Sequence, residues 1–175
     1  MTQHYTVRAA PKVLAPALLA AGLLVGGVAR ADGVADARAF VVRLYAHYPI
    51  PDREPVFDPL GKDAGSVFDA SLIRLIREDE RLAKGEVGAL DGDPLCDCQD
   101  DGGMTFKVGD VTAVGPARAK ATVVSREPGA TPPEVEEITL DLVEVAGHWR
   151  IRDIHTKDTP SLQAYLAKSN RERTR

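Results

Sequence analysis

Ala117-Arg118-Ala119-Lys120-Ala121-Thr122-Val123-Val124-Ser125-Arg126 alternates small or apolar side chains with polar ones. Side chains in a strand point to opposite faces in turn. A period of two therefore sets Ala117, Ala119, Ala121 and Val123 on one side, and Arg118, Lys120, Thr122 and Val124 on the other. This is a half-buried strand. The pattern recurs downstream, where Ile138, Leu140 and Leu142 mark one face and Thr139 and Asp141 the other. Ala146-Gly147 then turns the chain into a last strand, His148 to His155. Met104 to Val114 reads as a further strand, kinked near Gly109, and Pro128, Gly129, Pro132 and Pro133 make a connecting loop.

Upstream of Met104 the period is 3.6. From Ala35 to Tyr48, Phe40, Val41, Leu44, Tyr45 and Tyr48 form a one-sided helical stripe. Pro49, Pro51, Pro55 and Pro59 hold Pro49 to Gly65 as an extended loop. A second helix follows, capped by Ser66 or Asp69, with Phe68, Leu72, Leu75 and Ile76 as its buried edge. Glu80 and Lys84 form a favourable pair four residues apart, and Gly85 and Gly88 stop the helix. A third short helix or a turn is expected around Val87 to Leu90. Thr159-Pro160-Ser161 opens a closing helix through about Lys168. Helices packed on an antiparallel meander give an α+β fold.

The first residues point to a compartment. Arg8 and Lys12 precede Leu14 to Val28, an apolar run of about 15 residues, and Ala29-Arg30-Ala31 supplies the small-x-small pattern of a signal-peptidase site. We expect an exported protein, periplasmic or secreted, cleaved after Ala31, with 32–168 as one α+β domain and 169–175 as a frayed basic tail. The run is short of the roughly 20 apolar residues that span a bilayer, so no lasting membrane insertion is expected. The whole chain carries 22 Lys and Arg against 26 Asp and Glu. Without Arg8, Lys12 and Arg30 the balance is 19 against 26, a net of −7. An acidic domain has no electrostatic reason to bind nucleic acid.

Three segments carry a family resemblance. They are Leu44-Tyr45-x-x-Tyr48, the stretch from Gly85-Glu86 through Asp93-Pro94-x-Cys96-x-Cys98-Gln99-Asp100, and Trp149-Arg150-Ile151 with Ser161-Leu162. Together they resemble domain of unknown function 3828, a group of small exported bacterial proteins. The ending Gly147-His148-Trp149-Arg150-Ile151 resembles the nuclear-transport-factor-2-like (cystatin-like) superfamily. The resemblance implies a curved antiparallel sheet wrapped round a helix as a cone, often with a concave pocket, and it implies no reaction.

The specific part is Leu90 to Asp101, which holds both cysteines and Asp91, Asp93, Asp97, Asp100 and Asp101. In an oxidising compartment Cys96 and Cys98 can pair, since Cα atoms two positions apart in a bent chain fall within the roughly 4.4–6.8 Å that a disulfide tolerates. A redox dithiol would carry Cys-x-x-Cys beside a βαβ unit, and neither is present. Zinc needs about four ligands, and only His47, His148 and His155 could join the two thiolates. A calcium loop counted from Asp91 places Leu95 at position five and Gly102 at position twelve, which are not ligands. A structural disulfide is the reading retained, with no metal and no cofactor. The aspartates and Gln99 serve as turn-formers and loop contacts.

A second candidate is the last strand. If Trp149 and Ile151 point inward, period two sends Asp153 and His155 the same way. Tyr45, Tyr48, Trp149 and Asp153 would then line a binding cone. Two functions compete: a binding or interaction module for a small ligand or a protein partner, and a small isomerase, dehydratase or hydrolase using Asp153 with Tyr45 or His155. The chain holds no nucleophile elbow, His-x-x-x-His pair, phosphate loop or dinucleotide fingerprint, which favours the first. Dimerisation through the open sheet face is a further expectation. The competing role for Asp153 is to pair with Arg152 or a helix N-terminus where the strand leaves the core.

Overall fold

The computed structural model describes Met1 and residues 28–48, 57–99, 102–127, 129 and 134–175, with side chains of the first helix described from Gly33 onward. The expected leader up to residue 27, the prolines at 49, 51 and 55, and Asp100 and Asp101 lie outside the described residues.

Among the described residues, four helices and four strands follow in the order α1 (Val28–Tyr45), α2 (Ala64–Val67), α3 (Ala70–Ala83), β1 (Thr105–Gly115), β2 (Arg118–Arg126), β3 (Val135–Val145), β4 (His148–His155) and α4 (Leu162–Arg173). The strands form one antiparallel sheet in the order β1-β2-β3-β4. The alternation in β2 and β3 holds: Ala119, Ala121, Val123, Ile138, Leu140 and Leu142 are buried, and join α1, α3 and α4 residues in one core. Ala117 departs from the pattern and makes the β1–β2 turn in left-handed backbone, at φ 53°. Ala146 and Gly147, both at positive φ, make the expected two-residue β3–β4 hairpin.

On α1, Ala37, Val41, Leu44 and Tyr45 are buried, and a final turn past Tyr45 keeps Tyr48 half-buried beside them. Asp69 caps α3, accepting the Leu72 N–H at 3.0 Å. Phe68 is not helical as expected. It is extended, paired in parallel with Ile151, and so partly covers the exposed edge of β4. The short α2 had no signal in the sequence, being too brief to show a period. Lys84 itself takes left-handed backbone at φ 55° and ends α3, while Glu80 pairs with Arg77 rather than Lys84.

Three expectations need correction. First, of the two alternatives at Val87–Leu90 the helix does not form, because the N–H groups of Ala89 and Leu90 are taken by the Asp79 carboxylate, both at 3.0 Å, and the chain only bends there. Second, the chain end does not fray after Lys168. Helix α4 runs to Arg173, which reaches the buried Asp79 at 2.8 Å, and Asn170 is buried and donates to the Leu75 carbonyl at 2.9 Å. Third, β4 is bulged: Asp141 opposes Asp153 but Leu142 opposes Ile151, so Arg152 is an extra residue. That single insertion shifts the phase. Ile154 enters the core, and Asp153 and His155 do not.

Candidate functional site

The cysteine loop is built from several close fits. Asp93 and Cys98 pair as an isolated bridge, with the Asp93 N–H donating to the Cys98 carbonyl at 2.8 Å. Gly92 permits that approach, since a Cβ there would stand 2.5 Å from the Cys98 oxygen. Cys96 and Cys98 are joined by a disulfide with Cα atoms 5.1 Å apart. Asp97 between them sits at φ 52°, a left-handed position that aspartate tolerates better than most residues. Leu95 is fully buried and plugs the loop into the core.

Two tyrosines of the first helical stripe hold this loop. The Tyr45 hydroxyl donates to the Leu95 carbonyl at 2.7 Å, and the Tyr48 hydroxyl donates to the Asp93 carboxylate. Burial, with the nearby Asp93 charge, pushes the Tyr45 phenol well above its ordinary range. Phe106 lies against both rings, at 5.3 and 5.2 Å between centroids. The aromatic cluster thus fixes where the loop stands relative to the sheet.

Between the loop and the β4–α4 corner lies a cavity of about 280 Å³. Asp91, Asp93, Asp97, Cys98 and Gln99 form one wall, and Ile154, Thr156, Thr159, Leu162 and Tyr165 the other. Acidic and hydroxyl-bearing residues therefore line the cavity together with the apolar Leu90 and Pro94. Its size is at the small end of ligand sites, which run from roughly 300 to 1,000 Å³. On the other side of the disulfide, Glu136 faces Asp97, and burial together with the Asp97 charge raises its pKa.

The four residues expected to line one binding cone do not converge on this cavity. Tyr45 and Tyr48 hold the loop from behind. Trp149 lies at the other end of the sheet, in a cleft with Gly33, Val34 and Pro116. Asp153 caps α4: its carboxylate accepts the Ser161 hydroxyl at 2.6 Å and the Gln163 and Ile154 N–H groups at 2.9 Å each. The role beside a helix N-terminus, weighed for it from the sequence, is the one it takes. Of the loop residues singled out, Asp91, Asp93, Asp97 and Gln99 do line the cavity, and Asp100 lies outside the described residues. Thr156, Thr159 and Tyr165 had no sequence signal, because only the corner after β4 brings them there.

Of the catalytic alternative, Asp153 with Tyr45 or His155, the structure brings His155 Nε2 within 3.9 Å of the Asp153 carboxylate, whereas Tyr45 stands apart from both. The Tyr45 hydroxyl is committed to Leu95, and His155 faces the Pro160 carbonyl through Nδ1 at 2.5 Å and the Asp141 carboxylate through Nε2 at 3.1 Å. Ser161 donates to Asp153 and accepts the Ala164 N–H, so its hydroxyl is not directed at the imidazole. Among the described residues no group of three or more His, Cys, Asp or Glu side chains is arranged to hold a metal ion.

With an acceptor at each ring nitrogen, His155 suits the doubly protonated imidazolium. Burial opposes that charge, but the Pro160 carbonyl, the Asp141 hydrogen bond and the Asp153 and Asp141 charges outweigh it, and the pKa is raised. A histidine with a raised folded-state pKa contributes stability below its unfolded value near 6.5, and that contribution is lost as pH rises through the folded value. We expect the urea midpoint to fall as pH rises from about 6 to about 8.5, and to fall less in His155→Gln. Equal slopes in the two proteins would exclude this role.

No family model matches the chain. A relative exists. It is the uncharacterized protein YqhG of Escherichia coli strain K12, 30% identical over 125 residues that make up 71% of this chain. The chain spans about two-fifths of that relative's length, the alignment covering 40% of it. Among solved structures, a protein of unknown function from Bacteroides thetaiotaomicron is 19% identical over 73% of this chain and 91% of its own, with a TM-score of 0.43.

Proposed function

We propose that the protein is an exported binding module, and that the cavity beside the disulfide loop holds a small ligand carrying a protonated amine. The observation that carries this reading is the lining of one wall by Asp91, Asp93 and Asp97, a local concentration of negative charge, with Thr156, Thr159 and Tyr165 on the wall opposite. Carboxylates accept and do not donate, so they select a cationic, donor-rich head group. Leu90, Pro94, Ile154 and Leu162 leave space for a short apolar body. The site holds acceptors and apolar surface but no group placed as nucleophile or paired acid and base, which favours binding over catalysis.

The same reading includes a Sec-type leader cleaved after Ala31, membership of the domain of unknown function 3828 group, and the cone fold of its superfamily. A disulfide spanning one residue fits an oxidising compartment. The buried face of β2 and β3, which shares one core with residues of α1, α3 and α4, supports the cone.

Titration of the mature protein with a panel of small amines and amino sugars, followed by two-dimensional amide NMR, tests the cavity. We expect saturable shifts at Asp93, Gln99 and Thr156, abolished in Gln99→Trp, which closes the mouth, and weakened about tenfold in Asp91→Asn. Shifts spread over the whole acidic surface, unchanged by Gln99→Trp, would overturn the proposal.

A further inference from the structure

An acidic chain concentrates five arginines around one groove. Arg74, Arg77 and Arg81 from α3, Arg171 from the last turn of α4 and Arg175 just beyond it line a trough of about 870 Å³ between the two helices. Glu78 is the one carboxylate side chain lining it, and Arg81 holds it through two hydrogen bonds at 2.8 and 2.6 Å. Arg77 is paired with Glu80 at 2.9 Å. Arg74, Arg171 and Arg175 make no side-chain hydrogen bond or ion pair among the described residues. This end of the molecule therefore carries positive charge in excess, against a chain whose net charge is −4.

The floor adds a different requirement. Leu75 and Ala167 are apolar, and between them lies Asn170, only 6% exposed. Its Nδ2 donates to the Leu75 carbonyl, but its Oδ1 is buried without a partner among the described residues. A buried unpaired acceptor is unfavourable, and any group bringing a donor relieves it. The arginines ask for negative charge and the asparagine for an N–H, over an apolar strip. A phosphate supplies charge and an O–H but nothing to cover the apolar strip of Leu75 and Ala167. A membrane surface supplies charge in a plane, which a trough between two helices does not match.

We infer that the groove between α3 and the C-terminal half of α4 docks an acidic peptide segment of a protein partner. Its carboxylates would face Arg74, Arg171 and Arg175, its apolar side chains Leu75 and Ala167, and a backbone N–H the Asn170 amide oxygen after a small rotation. The site is separate from the disulfide cavity and does not depend on it.

The probe is a short fluorescein-labelled peptide alternating glutamate with leucine, added to the mature protein at low ionic strength. Binding is expected to saturate and to weaken with salt. The double variant R74E/R171E should weaken it at least tenfold, while K107E/R118E, the same charge change on β1 and β2, should leave it within about twofold. In the unaltered protein the side-chain amide resonances of Asn170 should move on binding, a readout that does not require either variant to fold. The inference fails if the peptide does not saturate, if K107E/R118E weakens it equally, or if the Asn170 amide stays still. It fails equally if phosphatidylglycerol vesicles bind in place of the peptide, or if inorganic phosphate displaces it at equal concentration.

Discussion

Asp79→Ala is expected to destabilise the protein by about 2–4 kcal/mol, because a buried carboxylate that serves two backbone N–H groups is removed and leaves them without an acceptor. Asp79 is 2% exposed and stands on α3 with Leu72, Ile76 and Ala83. It accepts from the Ala89 and Leu90 N–H groups and from Arg173, so alanine leaves two amides and a guanidinium without their acceptor. Asp79 thereby ties the end of α3, the approach to the cysteine loop and the end of α4 into one unit. For a domain of this size each kcal/mol moves the midpoint of thermal unfolding by roughly 2–4 °C, so a drop of about 10 °C is expected by calorimetry. Deletion of residues 169–175 should cost a comparable amount, since it removes both Arg173 and the buried Asn170. A frayed tail would be deleted without effect, and that outcome would exclude the assignment.

Where the sequence could be read, one element decided its own structure. Ala119, Ala121 and Val123, then Ile138, Leu140 and Leu142, are buried because alternation and a covered face leave one solution. The cysteine loop was legible as a unit for the opposite reason: Gly92, Pro94 and the aspartates exclude regular structure, and Asp97 accepts the left-handed bend. What was hidden depends on partners distant in the chain. The phase of β4 changes at Arg152, whose carbonyl is met by the Gln163 side chain at 2.6 Å, and nothing local to the strand signals this. Asp79 could have been found. An acid at the spacing of Leu72, Ile76 and Ala83 on an apolar stripe must be paired or excluded from the core. The same holds for Asn170, which continues the stripe of Leu162 and Leu166 and argues that α4 does not stop at Lys168.

Asp153→Ala is expected to cost about 2–3 kcal/mol, above the usual loss of a helix cap, because the carboxylate serves three donors at once. Ile154 lies in its own strand, while Ser161 and Gln163 belong to the first turn of α4. Gln163 passes the connection on, donating to the Ser71 hydroxyl at 2.7 Å, and Ser71 in turn donates to Asp69, the cap of α3. One carboxylate thus anchors two helix starts to the bulge in β4. Asp153→Asn keeps Oδ1 as acceptor for both N–H groups but loses the acceptor of the Ser161 hydroxyl and the charge at the helix N-terminus, so it should fall between alanine and wild type. Urea denaturation of the three proteins orders them. Hydrogen exchange adds the location: protection should be lost first at the amides of residues 161–166 and near Asp69, while the cysteine loop, held by Tyr45 and Tyr48, keeps its own. A general base in an active site behaves in the opposite way, since such residues are held under strain and their replacement commonly stabilises the fold. An Asp153→Ala protein more stable than wild type would therefore return the last strand to the list of catalytic candidates, and a destabilised one with intact ligand shifts at Gln99 separates the helix anchor from the binding cavity.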